Sequence, residues 1–207
     1  MITIGQRVQY AIEAVERGEF EHALEHVSIA IDITAKKYYQ APKSTNANYK
    51  NLLKEYSWLI EIMSLGGINL DESKFGNYPV VTAYGKEITE PTFQDFLYHI
   101  VRCGLSYDES SSANFSFIEG NSIILSGNTI ALPKKLIWGL LAVIVFCPIN
   151  AMQRTSDGYW LSLFEHKFVI NEAWGKEDLI RRIYDERNLT SVILNIPHNH
   201  FNGYKLA

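Results

Sequence analysis

What this chain lacks narrows its class before any motif is read. Among 207 residues there are only two cysteines, Cys103 and Cys147, with neither a CxxC pair nor the Cys/His spacing of a zinc site. Both sit in apolar helical patterns, so buried reduced thiols are expected, in keeping with a cytoplasmic protein. Long apolar runs are also missing. The greasiest stretch, "LIWGLLAVIVFC" at 136–147, is well short of the about 20 residues that a spanning helix needs. It reads as a core helix opened by Pro133 and closed by Pro148, and no membrane association is expected. The amino terminus "MITIGQRVQYAIEAVERGEF" is amphipathic without a continuous apolar core, so it is not expected to be a signal peptide. Sequons at Asn114 and Asn188 carry no weight in a reducing compartment. A basic excess is absent too: 19 Lys+Arg against 23 Asp+Glu give a formal charge of −4. That disfavours a broadly basic nucleic-acid binder while leaving room for a local basic patch. GxSxG, HExxH, GxxxxGK[ST] and dinucleotide fingerprints are all missing, and no cofactor or metal is expected.

What remains is an ordinary globular composition, 47% hydrophobic and 20% charged, with enough apolar residues for a real core. Residues 4–17 and 20–39 read as two amphipathic helices joined by a tight turn at "RGEF". Val8, Ala11, Ile12 and Val15 mark the first stripe, and Ala23, Leu24, Val27, Ala30 and Ile31 the second. Ile29 and Ile33 on the other side of the second helix predict a central position, buried on two faces. The pair has tetratricopeptide flavour, but no second copy follows at a ~34-residue period. A third helix is predicted over 47–64. After a turn-rich loop, a fourth is predicted from about Pro91 to Tyr107, with Thr89 as its N-cap.

The period then changes to two. "NFSFIEGNSIILSGNTIAL" predicts three short strands in an antiparallel meander. The apolar helix follows, then a hairpin from "GYWLSLF" and "HKFVINEAW", a short helix "KEDLIRRIYDE" and a strand-like "TSVILNI". The expected fold is α+β, mainly α: an antiparallel helical bundle over 1–147 with a β-meander inserted at about 115–132. Residues 148–207 are expected to be an α/β extension packed on the same domain.

On a helical wheel at about 100° per residue, Phe93, Phe96, Leu97, Ile100, Val101 and Gly104 share one side of the fourth helix. Asp95, His99, Arg102 and Ser106 share the other. An acid, an imidazole, a guanidinium and a hydroxyl on one edge are either a solvated helix face with a local ion pair or a surface for a partner or substrate. His22 and His26, and separately His198 and His200, have spacings compatible with a metal. A third ligand is not indicated for either pair, and a wet helix flank and a polar tail are the simpler readings.

The run "IVRCGLSYDE", on the last of four helices before a hairpin, resembles the HEPN family of helical domains from prokaryotic defence and toxin systems. In that family an arginine and a histidine four to six residues apart form the signature, with a variant reading Arg-Cys-Gly-Leu-x-His. The resemblance covers mainly residues 1–147, and only the short run is close. It implies metal-independent RNA cleavage at a site assembled across a dimer, with a base for the 2′-hydroxyl and a cation for the crowded phosphorane. Arg102 matches the family arginine, Tyr107 stands where the histidine belongs, and His99 is a substitute base one turn earlier. An unperturbed tyrosine has a pKa near ~10 and is a poor base at neutral pH. The resemblance therefore implies either a ribonuclease using Arg102, His99 and Tyr107 or a degenerate member that binds rather than cuts. Either would be a homodimer through the 95–106 face, with Asp95 and Ser106 in the interface. The competing class is a non-catalytic protein–protein interaction module using the same face.

Overall fold

The computed structural model of the protein describes residues 2–66, 68–75, 80–82, 84–103, 115–126, 129–186 and 195–196. Helix α1 (Ile4–Glu16) begins at a capping box: the Thr3 hydroxyl accepts from the Gln6 N–H, and the Thr3 N–H donates to the Gln6 side chain. This satisfies two of the orphan donors at the helix start. Its stripe of Val8, Ala11 and Ile12 packs on α2 (Phe20–Tyr38). Gly18 turns the chain between them at φ 78°, a left-handed conformation that only glycine adopts without strain. Helix α2 touches α1, α3 (Asn46–Glu55) and the later helix α6, so it is central, as its two-faced pattern predicts.

The segment predicted as a third helix is broken. Beyond α3, the chain bends at Tyr56 (φ −105°, ψ 16°) into α4 (Ser57–Ile60) and then a π-helical turn, Glu61–Leu65. Tyr56 is buried, and its hydroxyl donates to Glu177 at 2.5 Å. That anchor, 121 residues away in the chain, accompanies a bend that apolar spacing alone does not foretell. Two short pairings follow: β1 (Lys74–Phe75), and β2 (Val80–Val81) antiparallel to β3 (Glu87–Ile88).

The next helix starts at Thr92 rather than Thr89. Thr92 is the N-cap in a reciprocal capping box with Asp95, three residues on, leaving Pro91 just before the cap. One turn, α5 (Phe93–Asp95), widens into a second π-helical segment, Phe96–Arg102. Phe93, Phe96, Leu97 and Val101 are buried on its inner side.

The three strands exist but do not form a meander. β4 (Phe115–Ile118) pairs in parallel with β6 (Thr129–Pro133), and β5 (Ile124–Ser126) pairs antiparallel with β6. The order is therefore β4-β6-β5, with the last strand inserted between the first two. Burial explains the insertion: β6 carries Ile130 and Leu132 inside, whereas β5 has no buried residue. The most apolar strand takes the position with a neighbour on each side.

Helix α6 (Leu136–Phe146) is buried nearly all round, from Leu136 to Cys147, with Trp138 the partly exposed exception. A helix apolar on every face belongs inside a core, and α6 packs against α2, α4 and the Glu61–Leu65 turn. A 3-10 turn, Pro148–Asn150, ends it. The predicted hairpin is present as β7 (Trp160–Leu163) antiparallel to β8 (His166–Val169), but its second strand is shorter than expected, since the residues after Val169 turn helical. The chain continues through α7 (Ile170–Ala173), α8 (Glu177–Glu186) and β9 (Asn195–Ile196), which pairs in parallel with β1. This extension is fastened to the bundle. Tyr159 donates to Glu13 at 2.6 Å, and the Ser156 N–H to Gln9 at 3.0 Å. The fold is α+β and mainly α, around one apolar core.

Candidate functional site

The Asp95–His99–Arg102 edge faces α2 and α3 of its own chain. Asp95, in the first turn, accepts from the Thr92 N–H at 2.9 Å and the Thr92 hydroxyl at 2.8 Å. Its other oxygen accepts from Lys50 Nζ of α3 at 2.8 Å. Burial raises the Asp95 pKa, but the bonds from Lys50 and Thr92 and the Lys50 charge outweigh it and hold the carboxyl below its ordinary value.

His99 lies next along the edge. Its Nε2 is 3.4 Å from the side-chain nitrogen of Asn46, the first residue of α3, and its ring packs edge-on against Tyr98. Its Nδ1 is buried and makes no hydrogen bond among the described residues. Burial and then the nearby Lys50 charge push the imidazole pKa below its ordinary 6.5, against a smaller opposing pull from Asp95. His99 is therefore neutral at physiological pH, with a ring nitrogen able to take a proton.

Arg102 Nη2 reaches Asp32 of α2 at 3.5 Å, and Asp32 also accepts from the Ser44 hydroxyl. Both members of this pair are largely covered, with side chains 28% and 16% exposed. Tyr49 of α3 is fully buried beside them and packs edge-on against Tyr98. Among the described residues the wall thus pairs two cations, Lys50 and Arg102, with Asp95 and Asp32 around a neutral imidazole. That arrangement can orient a hydroxyl or a phosphate oxygen.

Sequence spacing places Asp95, His99 and Arg102 on one side, and the structure does bring them to one wall. Its other half, Asp32, Ser44, Asn46 and Lys50, was missed. The only signal was the i, i+4 pair Asn46 and Lys50 on the polar side of α3. Ser106 and Tyr107 lie outside the described residues, as do His198 and His200. His22 approaches only Glu19, at 3.7 Å, and His26 only Arg7, at 3.4 Å, among the polar contacts of the described residues. No group of three or more His, Cys, Asp or Glu that could hold a metal occurs among the described residues. Cys147 is buried, Cys103 half-buried, and both are free thiols whose pKa burial raises. No helix among the described residues is long and apolar enough to cross a membrane.

The His99 environment sets a pH dependence. As pH falls, the unfolded chain takes up this proton first, because the folded pKa is the lower one. Stability contributed by neutral His99 is complete above 6.5 and is lost as pH falls from there through the folded value. His26, depressed by burial and by Arg7, acts in the same direction. His99→Gln should therefore flatten part of the loss of urea stability as pH falls below the ordinary imidazole value of 6.5. An unchanged slope would mean that His99 titrates as an ordinary surface histidine.

Residues 3–200 match the sequence model of the family described as Rv1289. Two relatives bear the names uncharacterized protein Rv1289, from Mycobacterium tuberculosis, and uncharacterized protein Mb1320, from Mycobacterium bovis. Each is 28% identical over 200 residues, covering 94% of this chain and 93% of the relative. No solved structure matches.

Proposed function

The chain belongs to the Rv1289 family, and we propose that it is an RNA-associated protein of HEPN-like type whose site binds RNA without cutting it efficiently. One observation supports this above others. His99, neutral and with a buried Nδ1 that makes no hydrogen bond among the described residues, lies one turn from Arg102 on the same helix, opposite Lys50. A base and a cation at that spacing are what 2′-hydroxyl activation and phosphorane stabilisation require. Efficient turnover is another matter. Asp32 shares the Arg102 charge, Asp95 shares that of Lys50, and Tyr107 occupies the family's histidine position. Two copies would meet beside the packed wall, where the Arg102 side chain keeps 28% of its surface exposed, placing both Arg102 side chains toward one RNA strand. The setting would be the reducing cytoplasm, in a defence or toxin system.

The test is retention of a single-stranded RNA by the full chain in the presence of chelator. Retention should fall at least about tenfold in Arg102→Ala, the loss of one charge-assisted contact, with no cleavage by the parent protein. Robust chelator-resistant cleavage, cut by ~10²-fold or more in both His99→Ala and Arg102→Ala, would make the protein an active ribonuclease instead. Absence of RNA retention would overturn the reading and leave the protein-interaction module.

A further inference from the structure

A second site lies away from this wall. The π-helical turn Glu61–Leu65, the start of α6 and the β7–β8 hairpin enclose a groove of about 400 Å³. Ile62 and Met63 line it from the turn, Trp138 from α6, and Trp160, Leu161 and Leu163 from the hairpin. That volume falls in the range of small-molecule sites, which are typically apolar with few polar groups.

Two features of the groove ask for an occupant. The first is an indole held out of the core: Trp160 is 50% exposed, with Lys167 Nζ stacked over its ring at 3.9 Å. Lys167 covers one face of the ring, and the rest of this half-exposed indole leaves apolar area in water unless something else covers it. The second is charge. Lys135 lines the groove and is exposed, and it makes no ion pair among the described residues, whereas its neighbour Lys134 is paired with Glu119. Lys135 is also the N-cap of α6, whose first turn has no acidic residue and whose cap has no side-chain hydrogen bond. The positive end of an eleven-residue helix and a lysine therefore add their fields at one end of an apolar groove.

We propose that this groove binds a small amphipathic carboxylate, its medium-chain acyl body against Trp138 and Trp160 and its carboxylate at Lys135. The apolar body gains burial on the two indoles, and the carboxylate gains a charge-assisted bond that a neutral analogue lacks. Nothing in this site overlaps Asp32, Lys50, His99 or Arg102, so its test is independent of the RNA reading.

The probe is decanoate, titrated into the full chain and followed by indole fluorescence and calorimetry, with decanol and decyltrimethylammonium as neutral and cationic controls. Decanoate should saturate one site and bind more tightly than either control. Lys135→Glu should weaken decanoate at least about tenfold and leave decanol unchanged, because only the charge-assisted contact is reversed. Trp160→Ser should weaken both. Each residue is exposed, so both variants should keep the parent's circular dichroism and Tm. Non-saturable decanoate binding, or saturable binding indifferent to both substitutions, would overturn the proposal. So would decanol binding as tightly as decanoate.

Discussion

Replacing Asp95 by alanine should cost about 3 kcal/mol of stability, a fall of roughly 6–12 °C in Tm for a chain of this size. Three bonds end on this one carboxylate: the Thr92 N–H, the Thr92 hydroxyl and Lys50 Nζ. Loss of the first two removes the Asp95 half of the capping box on the helix that carries His99 and Arg102, while the Thr92 hydroxyl can still accept from the backbone N–H of residue 95. Loss of the third strands an ammonium against α3. The Asp95 side chain is 9% exposed and that of Lys50 is 29% exposed, so Lys50 can partly reach water and the penalty stays at the low end for a broken buried pair. Lys50→Met alone should cost less, and the double variant should recover part of the loss, giving a coupling of about 1 kcal/mol or more. The acid side supplies an independent check. Because the folded pKa of Asp95 is depressed, its contribution is present at neutral pH and is lost as pH falls below the ordinary carboxylate value of 3.8 through the folded one. That part of the acid slope should vanish in Asp95→Ala. Urea unfolding of the four proteins measures all of this. A loss under about 0.5 kcal/mol would mean that the capping box and ion pair do not hold the wall together.

The same residues show how far a sequence can be read. The Asp95, His99 and Arg102 edge was legible because a polar stripe opposite Phe93, Phe96, Leu97 and Val101 survives small changes in helical pitch. Their partners were not, since Asp32 and Lys50 lie on helices separated from the edge by a turn-rich loop, and a single chain gives no sign of which polar faces meet. Apolar α6 was legible from composition and two flanking prolines. The π-helical segments were not, because widening a turn leaves the order of apolar residues almost unchanged. Thr89 and Thr92 both precede helical residues. What separates them is the reciprocal bond from Asp95 three residues beyond Thr92, a spacing present in the sequence and overlooked. The insertion of β6 between β4 and β5 depends on which strand buries most, a competition that turn residues do not encode. The aromatic groove was invisible for a simpler reason: Met63, Trp138 and Trp160 are far apart in the chain.

Gly139→Val should cost about 3 kcal/mol or more, as expected for forcing extra atoms into a tightly packed contact. Glycine is the poorest helix former other than proline, about 1 kcal/mol worse than alanine, yet Gly139 sits one turn into α6, a helix buried on almost every side. The reason is distance. A Cβ there would lie 3.0 Å from Ser64 Oγ and 3.2 Å from both Cα and the carbonyl oxygen of Ile60. The backbones of α6 and of the α4 segment approach as closely as they do because nothing projects between them. Gly139→Ala therefore sets a helix-propensity gain against a contact tighter than normal, and should come out near neutral or slightly destabilising. Valine adds two methyl groups with nowhere to go and must push the Ile60–Ser64 segment away. That displacement carries Ile62 and Met63 with it, since they belong to the same π-helical turn, and these two line the groove opposite Trp138. Decanoate binding should then weaken in Gly139→Val although no groove residue has been changed. Urea titration of the Gly, Ala and Val series decides the point. A monotonic rise in stability with helix propensity from Gly to Ala, with Val within about 1 kcal/mol of the parent, would show that α6 is not pinned by this contact.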